Sequence, residues 1–214
     1  MNAFHDFMTQ CSADTSPRQR VLGIGGSPRK GGNSDILLHQ IVKGVADRGV
    51  DARSLHLRDF QFQGCIGCER CRRDRICTGL HDGMSLIYGD IVASRGLVLV
   101  SPTHNYNITA WMKAYIDRLY CFYDYDDHRP RRWISRLAGQ GRRAVVAAVC
   151  EQEDKADMGC TLDAMRRPLE ALGYDIIGEL PVFGVFDRGH VKENAEILAE
   201  ASRLGAKLAD AVAG

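Results

Sequence analysis

The sequence predicts an α/β fold, a doubly wound five-stranded parallel sheet in the order 2-1-3-4-5. Three observations point there. Five short apolar runs alternate with amphipathic helical patterns, and no repeat or linker interrupts the series. The first run opens into a glycine-rich loop, Gly23 to Ser34, that feeds directly into a helix. The third run, Gly96-Leu97-Val98-Leu99-Val100, is the most continuous of the first three, as a strand covered on both faces requires.

The elements follow in order. Residues Met1 to Arg20 have no sustained period and read as an N-terminal arm, leaving 21–214 as one domain. Val21 to Gly25 is the first strand, and Ile36, Leu37, Ile41, Val42 and Val45 keep helical spacing until Gly49. Ala52 to Leu57 is the second strand. Arg58 to His81 is too rich in Cys, Gly and Arg to be core, and a helix is predicted from Asp82, an N-cap residue, to Ser94. After the third strand and the polar loop Ser101 to Asn107 comes a helix from Thr109 to Tyr120, with Asp117 and Arg118 as a helix-end ion pair. Cys121 to Gly141 reads as an exposed excursion whose arginines 129, 131, 132 and 136 form a solvated face, with a phosphate-binding patch as the other reading. The fourth strand is Ala144 to Val149, the fourth helix Ala156 to Leu172 with Pro168 kinking or shortening it, the fifth strand Tyr174 to Leu180, and the closing helix Lys192 to Val212.

The 214 residues, 45% hydrophobic and 26% charged, suffice for one sizeable core. A net charge of +1 with interspersed signs argues against nucleic acid or a membrane surface as partner. No apolar run is long enough to span a bilayer and the first 20 residues lack a signal-peptide core, so a cytoplasmic location is expected.

In the loop Gly23-Ile24-Gly25-Gly26-Ser27-Pro28-Arg29-Lys30-Gly31-Gly32-Asn33-Ser34, glycines let amides crowd round an anion. Ser27, Asn33 and Ser34 add donors, Arg29 adds charge, and the helix that follows turns its positive end to the loop. It lacks the Gly-Lys-Ser/Thr ending of a P-loop, and the third glycine of the dinucleotide fingerprint would fall on Pro28. A phosphate cradle and a plain glycine-rich turn are the two readings. In the flavodoxin-like order 2-1-3-4-5 the ligand crevice lies between strands one and three, which brings this loop together with Ser101 to Asn107.

Cys65-Ile66-Gly67-Cys68-Glu69-Arg70-Cys71 with Cys77 is a CxxCxxC run and a fourth cysteine. Such spacing lets four thiolates converge from one loop and resembles the ligand run of bacterial ferredoxins. Arginines 70, 72, 73 and 75 would offset the charge of a thiolate-bound cluster. Zinc and empty, reversibly oxidised thiols are the other readings. His104 is either a donor to a ligand or a polar wall, Trp111 and Tyr115 read as core or subunit packing residues with stacking on a substrate as the other use, and Cys150 sits at a strand end near the crevice.

Gly26-Ser27-Pro28-Arg29 with Gly32-Asn33-Ser34, then Ser101-Pro102 leading to Lys113-Ala114-Tyr115-Ile116-Asp117-Arg118, resemble the NAD(P)H-dependent FMN reductases of the flavodoxin-like superfamily. The cysteine run narrows the resemblance to the iron-sulfur flavoproteins. It implies FMN, with Ser27, Arg29, Asn33 and Ser34 on its phosphate and Pro102, Thr103, His104 and Asn105 near the ring and ribityl chain. It further implies a [4Fe-4S] cluster on Cys65, Cys68, Cys71 and Cys77, NAD(P)H as donor, and a small-molecule or ferredoxin-like acceptor. A homodimer or homotetramer is expected, with the arm and the cysteine loop near the interface. The flavin carries the chemistry, so no protein group is assigned as catalytic; the competing class is a non-enzymatic electron carrier. Two departures stand out: His104 replaces a frequent aromatic residue, and Cys150-Glu151-Gln152-Glu153 replaces a glycine-rich loop.

Overall fold

The structure, a computed structural model, describes residues 17–214. In chain order it contains β1 (Arg18–Gly25), α1 (Asn33–Ala46), β2 (Asp51–His56), α2 (Arg70–Asp74), α3 (Tyr88–Ala93) and β3 (Ser94–Pro102). Then come α4 (Ala110–Arg118), β4 (Tyr123–Tyr125), β5 (Trp133–Ser135), β6 (Arg143–Val149), α5 (Thr161–Ala171), β7 (Asp175–Val182) and α6 (Ala195–Ala213). The main sheet is parallel throughout, with strand order β2-β1-β3-β6-β7, which is 2-1-3-4-5 when its own five strands are numbered. Register follows from side-chain alternation: Ile24 sits opposite Leu55 on one side and Leu99 on the other.

Alternation also divides the core in two. Leu22, Ile24, Leu97, Leu99 and Val146 face Met112, Tyr115, Met165 and Leu169, while Val21, Val98, Val100 and Val145 face Leu37, Ile41, Leu204 and Leu208. Helices therefore cover both faces, and β3 is buried along nearly its whole length. Helices α1 and α6 cross with their backbones in contact: a Cβ on Gly44 would lie 2.3 Å from the Ser202 carbonyl oxygen, and one on Gly205 would lie 2.0 Å from that of Ile41.

Several sequence expectations are corrected. Arg18 to Arg20 belong to β1, not to the arm; Met1 to Ser16 of that arm lie outside the described residues. The helix expected from Asp82 to Ser94 is a 3-10 turn, Gly83–Leu86, followed by the short α3, although Asp82 does cap it by accepting from the Met84 amide. The C-terminal carbonyls of α3 are taken by the buried Arg142, which donates to Ile91 and Val92 at 2.8 and 2.7 Å. Helix α5 starts at Thr161, not Ala156, because Gly159 breaks the path with φ 56°, and it carries Pro168 inside it.

The excursion after α4 is a β4–β5 hairpin whose arginines divide: Arg129 and Arg132 are exposed as expected, while Arg131 and Arg136 are drawn against the cysteine loop. Arg131 pairs with Glu69 at 2.7 Å and Arg136 donates to the Arg75 carbonyl, both on the cysteine loop, while Arg132 pairs with Asp126 in the hairpin itself. In return Arg75 pairs with Asp124 and Arg72 with Asp127. The hairpin is thus clamped onto the cysteine loop by charge.

Candidate functional site

Four loops at the carboxyl ends of β1, β3, β6 and β7 enclose a crevice of about 160 Å3 at the point where strand order reverses. Its first wall is the glycine-rich loop, held from behind. The Arg58 guanidinium donates to the Ser27 carbonyl at 3.0 Å and spans both Asp35 carboxylate oxygens at 2.9 and 2.7 Å. Asp35 also accepts from the Gly31 amide at 2.8 Å. Burial pushes the Asp35 carboxyl up, but His56, Arg58 and the Gly31 amide together outweigh it and hold the pKa at about 2. The Arg29 amide donates to the Ser27 hydroxyl at 3.2 Å, which sets the turn.

Helix α1 begins behind Gly32, which offers no side chain to its first amides, and Asp35 is occupied with Gly31 and Arg58. The amides of its first turn therefore remain open donors at the crevice. Ser27 and Ser34 are both buried and line the same wall. Asn33 lines it too, but its side chain ties down the loop after β7: the amide nitrogen donates to the carbonyls of Asp187 and Phe186 at 2.9 and 3.4 Å, and the oxygen accepts from the Val191 amide at 3.2 Å. Arg29 stacks on the Phe186 ring at 4.5 Å and donates to its carbonyl at 3.3 Å.

The second wall is Pro102, Thr103 and His104. Thr103 continues the sheet by donating to the Val149 carbonyl at 2.7 Å, and the chain then reverses in a tight turn closed by two bonds between His104 and Asn107. Asn105 and Tyr106 occupy the left-handed region in that turn, with φ of 53° and 64°. Asn105 stands at the turn and is not among the lining residues, whereas the other seven predicted cofactor residues line one space. The Thr109 hydroxyl caps α4 and donates to the Gly26 carbonyl at 2.8 Å, locking the second wall to the first.

Sequence reading missed the third wall, Val185, Phe186 and Arg188. Its only signal was an aromatic and basic segment after the last strand, at a strand end that the switch-point rule does not single out. Glu151 and Gln152 of the anticipated β6 loop complete the lining, while Cys150 is buried behind it with its thiol 3.6 Å from Gln152 Oε1.

At the far end of α4, Cys65, Cys68, Cys71 and Cys77 line one cavity of about 220 Å3, walled also by Ile66, Leu80, Arg118 and Tyr120. All four are free thiols. Among the described residues no three His, Cys, Asp or Glu side chains converge closely enough to hold a metal ion. Burial, reinforced by the neighbouring thiols, pushes Cys71 up to about 11. Arg118, expected to pair with Asp117, instead spans the Asp82 carboxylate at 2.8 and 3.1 Å and donates to the Gln63 carbonyl at 3.0 Å; Asp117 pairs with Lys113. Of the arginines expected to face a cluster, Arg72, Arg73 and Arg75 are paired with carboxylates.

Residues 19–156 match the NADPH-dependent FMN reductase family. An iron-sulfur flavoprotein of Archaeoglobus fulgidus is 32% identical over 90% of this chain and 80% of its own length. One from Methanocaldococcus jannaschii is 30% identical over 46% of this chain and 51% of that protein. Among solved structures, the FMN-dependent NADH-azoreductase of Bacillus anthracis, in complex with FMN, superposes with a TM-score of 0.64 at 17% identity, covering 89% of this chain and 99% of that one. At that identity the superposition speaks for the fold alone. A glycine-rich loop and a Pro102 loop sharing one crevice at the switch point, together with a matched segment that spans both, place this chain in the NADPH-dependent FMN reductase family, beside its iron-sulfur flavoproteins.

Proposed function

We propose that this chain is an FMN-dependent oxidoreductase that takes electrons from NAD(P)H or another donor. It passes them to a small acceptor or a ferredoxin-like protein through a [4Fe-4S] cluster on Cys65, Cys68, Cys71 and Cys77. The observation that carries the reading is the crevice itself: buried hydroxyls and uncapped helix amides on one wall, Pro102 to His104 on the other.

The residues fit FMN. Ser27, Ser34 and the first amides of α1 suit a phosphate of nearly two charges, and Arg29 adds a cation at the mouth. Asn33 serves that wall by fixing the loop behind Phe186. Pro102, Thr103 and His104 would lie along the ring and ribityl chain, with Asn105 shaping their turn. When bound, FMN supplies acceptance of an electron pair and release of single electrons. The protein's part is to bind, orient and shield it.

The cysteine cavity suits a cluster: four thiols carried by one loop surround a single space of about 220 Å3, and the CxxCxxC run has the spacing of a cluster ligand set. Residues 18–214 acting as one domain, a homodimer or homotetramer, and a cytoplasmic setting complete the reading; no helix among the described residues is long and apolar enough to cross a membrane.

Protein purified without oxygen tests it. The expected result is a flavin spectrum, about four irons with matching sulfide per chain, and rapid bleaching of the flavin band in stopped flow with NADH or NADPH. Less than one iron per chain removes the cluster. Absence of bleaching with either nucleotide removes the reductase and leaves the electron carrier.

A further inference from the structure

We infer that Arg188, in the loop after β7, is a second cationic ligand of the flavin 5′-phosphate, making the crevice a site for a dianionic phosphomonoester. The inference rests on the FMN reading above. Arg188 lies beyond residues 19–156, so the family match says nothing of it.

Charge is the first ground. Arg29 and Arg188 both line the crevice, and neither has a carboxylate partner among the described residues, although arginines 48, 53, 58, 118, 131 and 143 are all paired. The lining holds a single carboxylate, Glu151, so its side chains carry excess positive charge. A phosphomonoester at neutral pH carries −1.5 to −2, more than Arg29 alone offsets.

Position is the second. The Arg188 guanidinium lies over the backbone of the phosphate loop at Gly31, where φ is +67° and a Cβ would come within 3.1 Å of Nη2. The segment that carries it is tied to the start of α1, because Asn33 holds the Phe186 and Asp187 carbonyls on one side of Arg188 and the Val191 amide on the other. Arg29 is held by the same segment through the Phe186 ring. Two guanidinium groups from opposite ends of the chain are thereby brought to one anion-binding loop, one from the loop and one from the strap across it.

The test compares FMN with riboflavin, which lacks the phosphate, on the full chain freed of flavin, by fluorescence quenching for wild type, Arg188→Gln and Arg188→Lys. Arg188→Gln should weaken FMN about five- to tenfold, the range for an exposed charged contact, and leave riboflavin within twofold. Arg188→Lys should recover part of the loss. Wild-type affinity for FMN should also fall as pH drops through about 6, where the phosphate takes up a proton, and fall less in Arg188→Gln. An unchanged FMN affinity in Arg188→Gln overturns the inference while leaving FMN binding standing. Equal weakening of FMN and riboflavin overturns it as well, because it marks a general loss of crevice shape. Failure of the wild type to bind FMN sinks the proposed function itself, and the inference with it.

Discussion

Replacing Asp35 by Asn removes the charge that holds the glycine-rich loop in shape. The carboxylate receives both arms of Arg58 and the Gly31 amide, and its pKa stands at about 2 against 3.8 for a free side chain. A depressed carboxyl stabilises the fold above its unfolded pKa and loses that contribution as pH falls through the folded value. From those two values the carboxylate contributes about 2.5 kcal/mol at pH 7 and about 1.3 kcal/mol at pH 3. The Arg58 side chain is only 10% exposed, so the variant also leaves a poorly hydrated cation facing a neutral amide. Urea unfolding of wild type and Asp35→Asn at both pH values measures the effect. The variant should be less stable at pH 7 by about 2.5 kcal/mol, and the gap should narrow by about 1 kcal/mol at pH 3. FMN affinity should fall with it, since the amides of the loop lose their fixed aim. A gap that stays the same at both pH values refutes the electrostatic account; a gap below about 0.5 kcal/mol at pH 7, the scale of an ordinary surface change, shows that the loop keeps its shape without the carboxylate.

Three other outcomes are expected. Gly205→Val pushes a side chain into the Ile41 carbonyl and should cost about 2 kcal/mol or more in denaturant unfolding by prising α6 from α1. Asp82→Ala strands Arg118, whose side chain is 1% exposed, and should cost about 3 kcal/mol, with much of it restored in the double variant Asp82→Ala/Arg118→Met. Gly79→Ala places a Cβ 2.4 Å from the Cys68 sulfur, a clash that rotation of the thiol relieves; thermal stability should change little while iron per chain falls well below the wild-type content.

The alternation of five apolar runs with helical patterns was enough to place β1, β3 and their loops, because burial on both faces leaves an unmistakable run such as Leu97 to Val100. Seven of the eight residues expected at a cofactor line one crevice, because they lie in the loop after β1 or the first turn of α1, at the end of β3 or just beyond it. What pattern could not reach was contact between distant segments. Nothing in the local sequence says that Asn33 bonds residues more than 150 positions away, or that Phe186 and Arg188 fold back over the glycine-rich loop. The charged excursion after α4 looked like solvent-facing chain because ion pairing across a gap of some 60 residues, such as Glu69 with Arg131, has no periodicity. The Asp82 to Ser94 helix failed differently: Met84, Ile87 and Ile91 are all buried as their spacing demands, yet the backbone divides at Ile87 between a 3-10 turn and α3.

Helix α4 is fastened at both ends, by Thr109 to the Gly26 carbonyl and by Arg118 to Asp82 and the Gln63 carbonyl. It therefore works as a ruler, with about 12 Å of helix from Ala110 to Arg118 setting the spacing between the switch-point crevice and the thiol cavity. Residues added to the cysteine loop or the β4–β5 hairpin would reshape the cavity without altering that spacing. A single residue inserted within α4 would lengthen it by only about 1.5 Å but turn one end against the other by about 100°. The orientation of the two sites is thus far more sensitive to this one helix than the distance between them, and a grafted cysteine loop would keep its alignment with the crevice only if α4 came with it.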